Sequence, residues 1–189
     1  MKSALVTAAA LALALFSAPA RADVVASGEG GFVSRNTATI AASPDAVWDV
    51  LVRPSLYWNP QHSYYGEADQ LFLTFGPDGC FCEIVASAPE DAIEDLAFVE
   101  HARVVRTAPG EMLRLSGAFG PLQGEALTGT LTVALRPDGA GTRVEWTYVV
   151  GGYAEFSLPE VAPVVDMVMA EQLSRLADAV ARGAAAPGD

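Results

Sequence analysis

The chain has 189 residues, half of them hydrophobic (51%), and carries 23 acidic against 11 basic side chains for a net charge of −12. A chain this acidic lacks the basic face that nucleic-acid phosphates demand, and it is equally unsuited to anionic lipid head groups. Its two cysteines cannot frame a fold, so a single domain of this length has to stand on its core.

The first 22 residues, MKSALVTAAALALALFSAPARA, read as a secretory signal peptide. Lys2 supplies the charge, the apolar run spans Ala4 to Phe16, and Ala20 and Ala22 flank the cleavage point. The run is shorter than the ~20 residues of a membrane span, so no stable membrane insertion is expected. The expected product is periplasmic or secreted and starts at Asp23. Removing Lys2 and Arg21 from the 11 basic residues leaves it at −14, with no lysine. Residues 23–31 are expected to be a flexible N-terminus, 32–182 the folded domain and 183–189 a disordered tail.

Along the domain, FVSRNTATIAA fits an exposed strand. SPDAVWDVLVRP follows with Ser43 as N-cap, Pro44 at the first helical position and Pro54 as a stop, which predicts a short amphipathic helix. SLYWNPQHSYYGEAD is an aromatic loop or broken helix. Four strand candidates come next, QLFLTF, CFCEIVAS, AFVEHARVV and EMLRLSG, with the acidic run PEDAIED as a loop between the middle two. Beyond the corner FGPLQGEA, LTGTLTVALRP and TRVEWTYVV alternate apolar with polar residues, the mark of a sheet covered on one side. SLPEVAPVVDMVMAEQLSRLADAVAR closes the chain as a long helix. Ser157 and Glu160 form its capping box, Pro163 falls in its first turn, and its apolar stripe comprises Val161, Val165, Met169, Leu173, Leu176 and Val180. Asp166 and Glu171 are expected to lie mostly off that stripe.

This order predicts an α+β fold in which helices cover one face of a curved antiparallel sheet, with a gap between sheet and long helix that suits a small apolar ligand. The stretch TATIAASPDAVWDVLVRPSLYWNP, with Ala42-Ser43-Pro44, Val47-Trp48 and Leu51, resembles the opening of the START-like (SRPBCC) superfamily of polyketide cyclases, dehydrases and lipid-transfer proteins. The resemblance runs over roughly residues 32–182. It implies a helix-grip fold, in which the sheet wraps around the C-terminal helix, with a hydrophobic cavity, and it leaves the ligand unnamed.

The chemistry-bearing residues are few. Cys80 and Cys82 share one face of a strand with Ile84, while Phe81 and Glu83 share the other. The favoured reading packs both thiols as small hydrophobes in a core or cavity wall. Residues two apart in an extended strand sit near the ~6.8 Å limit for a disulfide, so a bond between them would be strained. A zinc site of Cys80, Cys82 and His101, with His62 as a fourth ligand, is the weaker rival because the spacing is uninformative. Glu83 and His101 can form a carboxylate–imidazole pair in an apolar pocket, and His62 sits in the aromatic loop; these three are the candidate acid–base groups. Trp58, Tyr65, Cys80, Cys82, Phe119, Leu131, Trp146, Tyr148 and Met169 are the candidate ligand-binding residues. The expected protein is thus an exported binder of a small hydrophobic molecule, monomeric or weakly dimeric, with no cofactor. The alternatives are a cyclase- or dehydratase-like enzyme using His62, Glu83 or His101, and a metal- or redox-responsive protein built on the cysteines.

Overall fold

A computed structural model describes residues 18–84 and 97–185. The apolar leader up to residue 17, the acidic run PEDAIED and the last four residues lie outside the described residues.

Eight strands form one antiparallel sheet: β1 (Ala18–Gly28), β2 (Gly31–Ile40), β3 (Leu71–Leu73), β4 (Cys80–Ile84), β5 (Phe98–Ala108), β6 (Met112–Ser116), β7 (Ala126–Asp138) and β8 (Gly141–Tyr153). Their spatial order is β1-β2-β8-β7-β6-β5-β4-β3. Two helices complete the fold, α1 (Pro44–Leu51) and α2 (Leu158–Ala185), and short 3-10 turns lie between α1 and β3 and between β6 and β7. The predicted α+β helix-grip architecture is what forms.

Helix α1 begins as its sequence dictates, with the Ser43 hydroxyl accepting from the Ala46 amide and Pro44 at the first position. It buries Val47 and Leu51. The aromatic segment after it is a loop carrying three single 3-10 turns, Pro54–Leu56, Pro60–His62 and Ala68–Gln70, in keeping with a loop or broken helix. Strands β7 and β8 show the expected alternation, burying Leu131, Val133 and Leu135 on one and Val144, Trp146 and Tyr148 on the other. Close approach at the corner explains one glycine. A Cβ on Gly129 would stand 2.3 Å from the Gly117 carbonyl oxygen and 2.7 Å from the Tyr148 hydroxyl.

Four expectations change. Strand β2 is not exposed: it lies between β1 and β8, and its inward residues Phe32, Ser34, Asn36, Ala38 and Ile40 are all buried. Ser34 and Asn36 look like surface residues in the sequence, yet they have a buried partner in Asp166 of α2. The Ser34 hydroxyl donates to Asp166 Oδ1 over 2.6 Å and the Asn36 amide over 3.1 Å. Asp166 therefore faces the sheet rather than lying off the apolar stripe. Residues Asp23–Gly28, expected to be flexible, form the second half of β1 and pair with β2. Helix α2 starts at Leu158, which puts Pro163 in its second turn, and it continues to Ala185, past the expected start of the tail.

Candidate functional site

The inner faces of β3, β4 and β6–β8 curve around an apolar cavity of about 20 Å³. The sheet contributes Leu73, Phe81, Leu113, Leu115, Leu131, Val133 and Trp146 to its wall. Opposite them stand Leu51 from the last turn of α1, then Pro54, Tyr57 and Trp58, with Phe119 closing the corner. None of these wall residues is on α2, so the cavity lies beside the long helix rather than beneath it.

The rings are held in a connected cluster. Phe81 packs against Trp58 at 5.0 Å and against Phe119 at 6.1 Å between centroids, and Tyr57 meets Trp146 edge-on at 6.5 Å. The Tyr57 hydroxyl donates to the Leu51 carbonyl. The Tyr148 hydroxyl accepts from the Phe119 amide and donates to the Gly117 carbonyl, which fixes the corner. Burial pushes both phenols well above the usual tyrosine range, so they remain neutral donors.

Helix α2 acts on the cavity indirectly, by holding its cover. Gln172 Oε1 accepts from the Asn59 amide, Arg175 Nε donates to the Tyr57 carbonyl, and Glu171 takes the Asn59 side-chain amide on one oxygen. Its other oxygen lies 3.0 Å from His62 Nε2. Burial alone would raise the Glu171 carboxyl, but the hydrogen bonds from Asn59 and His62 and the charges of His62 and Arg175 carry it below the usual range. His62 is thus a surface tether for the loop and stands outside the cavity wall.

Glu83 and His101 do come together. Glu83 is fully buried and His101 is 5% exposed; His101 Nε2 lies 3.1 Å from Glu83 Oε2. A β-bulge decides which way the imidazole points. Phe81 pairs with Ala102 and Cys82 with Glu100, leaving His101 as the extra residue of β5. The bulge turns the ring to the inner side, where it packs on Phe81 at 4.9 Å and on Tyr64 at 5.8 Å. Glu83 also accepts the consecutive amides of Tyr64 and Tyr65, at 3.0 and 2.9 Å. One carboxylate therefore ties β4, β5 and the aromatic loop together.

Burial lowers the His101 pKa below its ordinary value, against the opposing pull of Glu83, so the neutral imidazole is the folded form. The unfolded chain then takes up its proton first as pH falls, and stability present above the unfolded histidine value of about 6.5 is lost below it. Thermal melts of the native chain should show the melting temperature falling as pH drops from 7.5 to 5.5. His101→Gln should start lower and change less over that interval. An equally steep profile in the variant would assign the acid sensitivity elsewhere.

The cysteines are bonded to each other. Their Cα atoms are 5.5 Å apart, within the ordinary disulfide range, because the strand departs from full extension beside the bulge. This replaces the expectation of two free thiols. The register pairs Cys80 with Arg103 and Cys82 with Glu100, on the face opposite Phe81 and Glu83. Among the described residues no three His, Cys, Asp or Glu side chains come together as a metal site; Cys80 and Cys82 are bonded to each other and His101 faces Glu83.

Of the nine candidate ligand-binding residues, Trp58, Phe119, Leu131 and Trp146 line the cavity. Tyr148 and Met169 are buried outside its wall, Tyr65 is 40% exposed, and the cysteines are on the far side of β4. The wall residues missed in the sequence include Leu73, Phe81 and Leu113. The alternation Phe81–Glu83 against Cys80–Cys82 carried the signal for Phe81.

Sheet, helices and cavity together define a helix-grip fold. No known family description matches the sequence, and no curated protein does. The likeness is to solved structures. An uncharacterized protein from Rhizobium leguminosarum superposes with a TM-score of 0.54 at 18% identity, over 89% of this chain and 99% of its own. The Mll3558 protein from Rhizobium loti gives 0.55 at 18% identity, over 78% and 95%. Ara h 8.0201 gives 0.55 at 12% identity, over 81% and 99%. Among the described residues no helix is long and apolar enough to cross a membrane.

Proposed function

We propose that this is an exported carrier of a small hydrophobic molecule, held between the curved sheet and the segment Pro54–Trp58. The observation that carries the reading is a cavity walled entirely by apolar and aromatic side chains within a helix-grip fold. Burial of ligand in such a space is worth about 25 cal/mol per Å² of apolar area. Export rests on the leader sequence; cleavage after Ala22 would retain the pairing of Asp23–Gly28 with β2.

Native mass spectrometry of the protein purified from its own export compartment, beside its denatured mass, tests both parts. The expected result is a chain beginning at Asp23 with an organic mass that is lost on denaturation. A full-length chain would overturn export, and a bare chain that also fails to bind any apolar probe would overturn the carrier.

A cyclase- or dehydratase-like enzyme is the second reading, and the observation in its favour is the Glu83–His101 pair beside the ring cluster. Glu83 is, however, occupied by two backbone amides and the imidazole, as befits a brace for the loop. The carrier reading needs neither residue to react.

A further inference from the structure

The cavity wall contains one polar group without a partner. Trp146, 1% exposed, lines the space from β8, and its indole Nε1–H is buried with no hydrogen-bond partner among the described residues. The other polar groups around the cavity are committed. The Tyr57 hydroxyl serves the Leu51 carbonyl, the Tyr148 hydroxyl serves the Phe119 corner, and the Trp58 indole N–H donates to the His62 carbonyl. Leaving a buried donor unmet is costly, and proteins satisfy nearly all of them. Water is a poor answer in this place, because an ordered molecule wants two to four polar partners and this wall offers one.

Resting on the carrier reading above, we propose that Trp146 is a polar anchor and that the ligand is a ring-bearing carbonyl compound whose oxygen accepts from its indole N–H. Indole nitrogen donates and cannot accept, so the matching atom has to be an acceptor. The rest of the wall is aliphatic or aromatic, with Tyr57, Trp58, Phe81 and Phe119 presenting rings at tilted and edge-on angles. Once Pro54–Trp58 moves away to make room, a flat hydrocarbon ring with one oxygen at its margin would meet both the ring walls and the N–H. A wholly apolar ligand of the same shape leaves the indole unmet and is selected against.

Acetophenone and α-methylstyrene test this, since the two differ in shape by little more than C=O for C=CH₂. Their affinities are measured on the native chain and on Trp146→Phe, which keeps a ring but removes the donor. The expected result is that the ratio of ketone to hydrocarbon affinity falls about tenfold in the variant, while hydrocarbon affinity stays within about twofold. In the ¹⁵N-labelled native protein, ketone but not hydrocarbon should move the Trp146 indole proton downfield, a readout that survives a poorly folding variant. If both probes bind and neither the ratio nor the indole signal responds, the anchor is overturned and the carrier stands. If neither probe binds the native chain, the ring-bearing carbonyl class is overturned, and the carrier reading is decided by the native mass and the wider set of apolar probes above.

Discussion

Glu83→Ala is expected to destabilise the protein by about 3–5 kcal/mol, because it takes a shared acceptor from three hydrogen-bonding groups at once. Three groups lose their acceptor at once: the Tyr64 amide, the Tyr65 amide and His101 Nε2. Each is buried or partly buried, and an orphaned buried donor costs about 1–3 kcal/mol by itself. Glu83→Gln provides the control, since its amide oxygen can still accept from one of them and its loss should be roughly half. Chemical denaturation of the two variants against the native chain gives the comparison. A loss below about 1 kcal/mol for Glu83→Ala would mean that the loop is held without this carboxylate, and the pair would then be free for chemistry.

Phe81→Ala should cost a similar amount, about 3–5 kcal/mol, for a different reason. The ring is 2% exposed and meets Trp58, Phe119 and His101, so its removal leaves a void continuous with the cavity it already lines. An enlarged apolar cavity binds small hydrocarbons. Benzene should therefore bind the variant at least about tenfold more tightly than the native chain, and should return part of the lost stability by mass action. Calorimetric melts with and without saturating benzene measure both effects. A variant that loses stability yet ignores benzene would show that Phe81 fills core separate from the cavity.

Sequence patterning reached the fold further than it reached the site. Period-two alternation in Leu131–Leu135 and Val144–Tyr148, the Ser43 cap and the long apolar stripe of α2 are local signals, and each corresponds to an element that forms. Ser34, Asn36 and Asp166 were misread because their burial depends on contacts 130 and 132 residues apart in the chain. The direction of His101 was not legible either. It is set by a register slip between β4 and β5, and no residue type announces a bulge of that kind. Glu83 and His101 were nevertheless recognisable as neighbours, because adjacent antiparallel strands bring their inward residues together. The cavity wall was half visible: rings in strands could be assigned to a face, whereas Pro54 and Tyr57 depended on how three consecutive 3-10 turns fold back over the sheet.

The size of the cavity has a kinetic meaning. At about 20 Å³ it has room for about one water, so on the carrier reading its wall has to move before a ring enters. Uptake would then draw on a minor population in which Pro54–Trp58 has lifted, and that segment is fastened to α2 through Asn59, Tyr57 and His62. The apparent dissociation constant is then the intrinsic one divided by the open fraction. The association rate is expected to level off at high ligand concentration, at the rate with which Glu171, Gln172 and Arg175 release the loop. Residues that never touch the ligand would in this way govern how fast it is captured and how long it is kept.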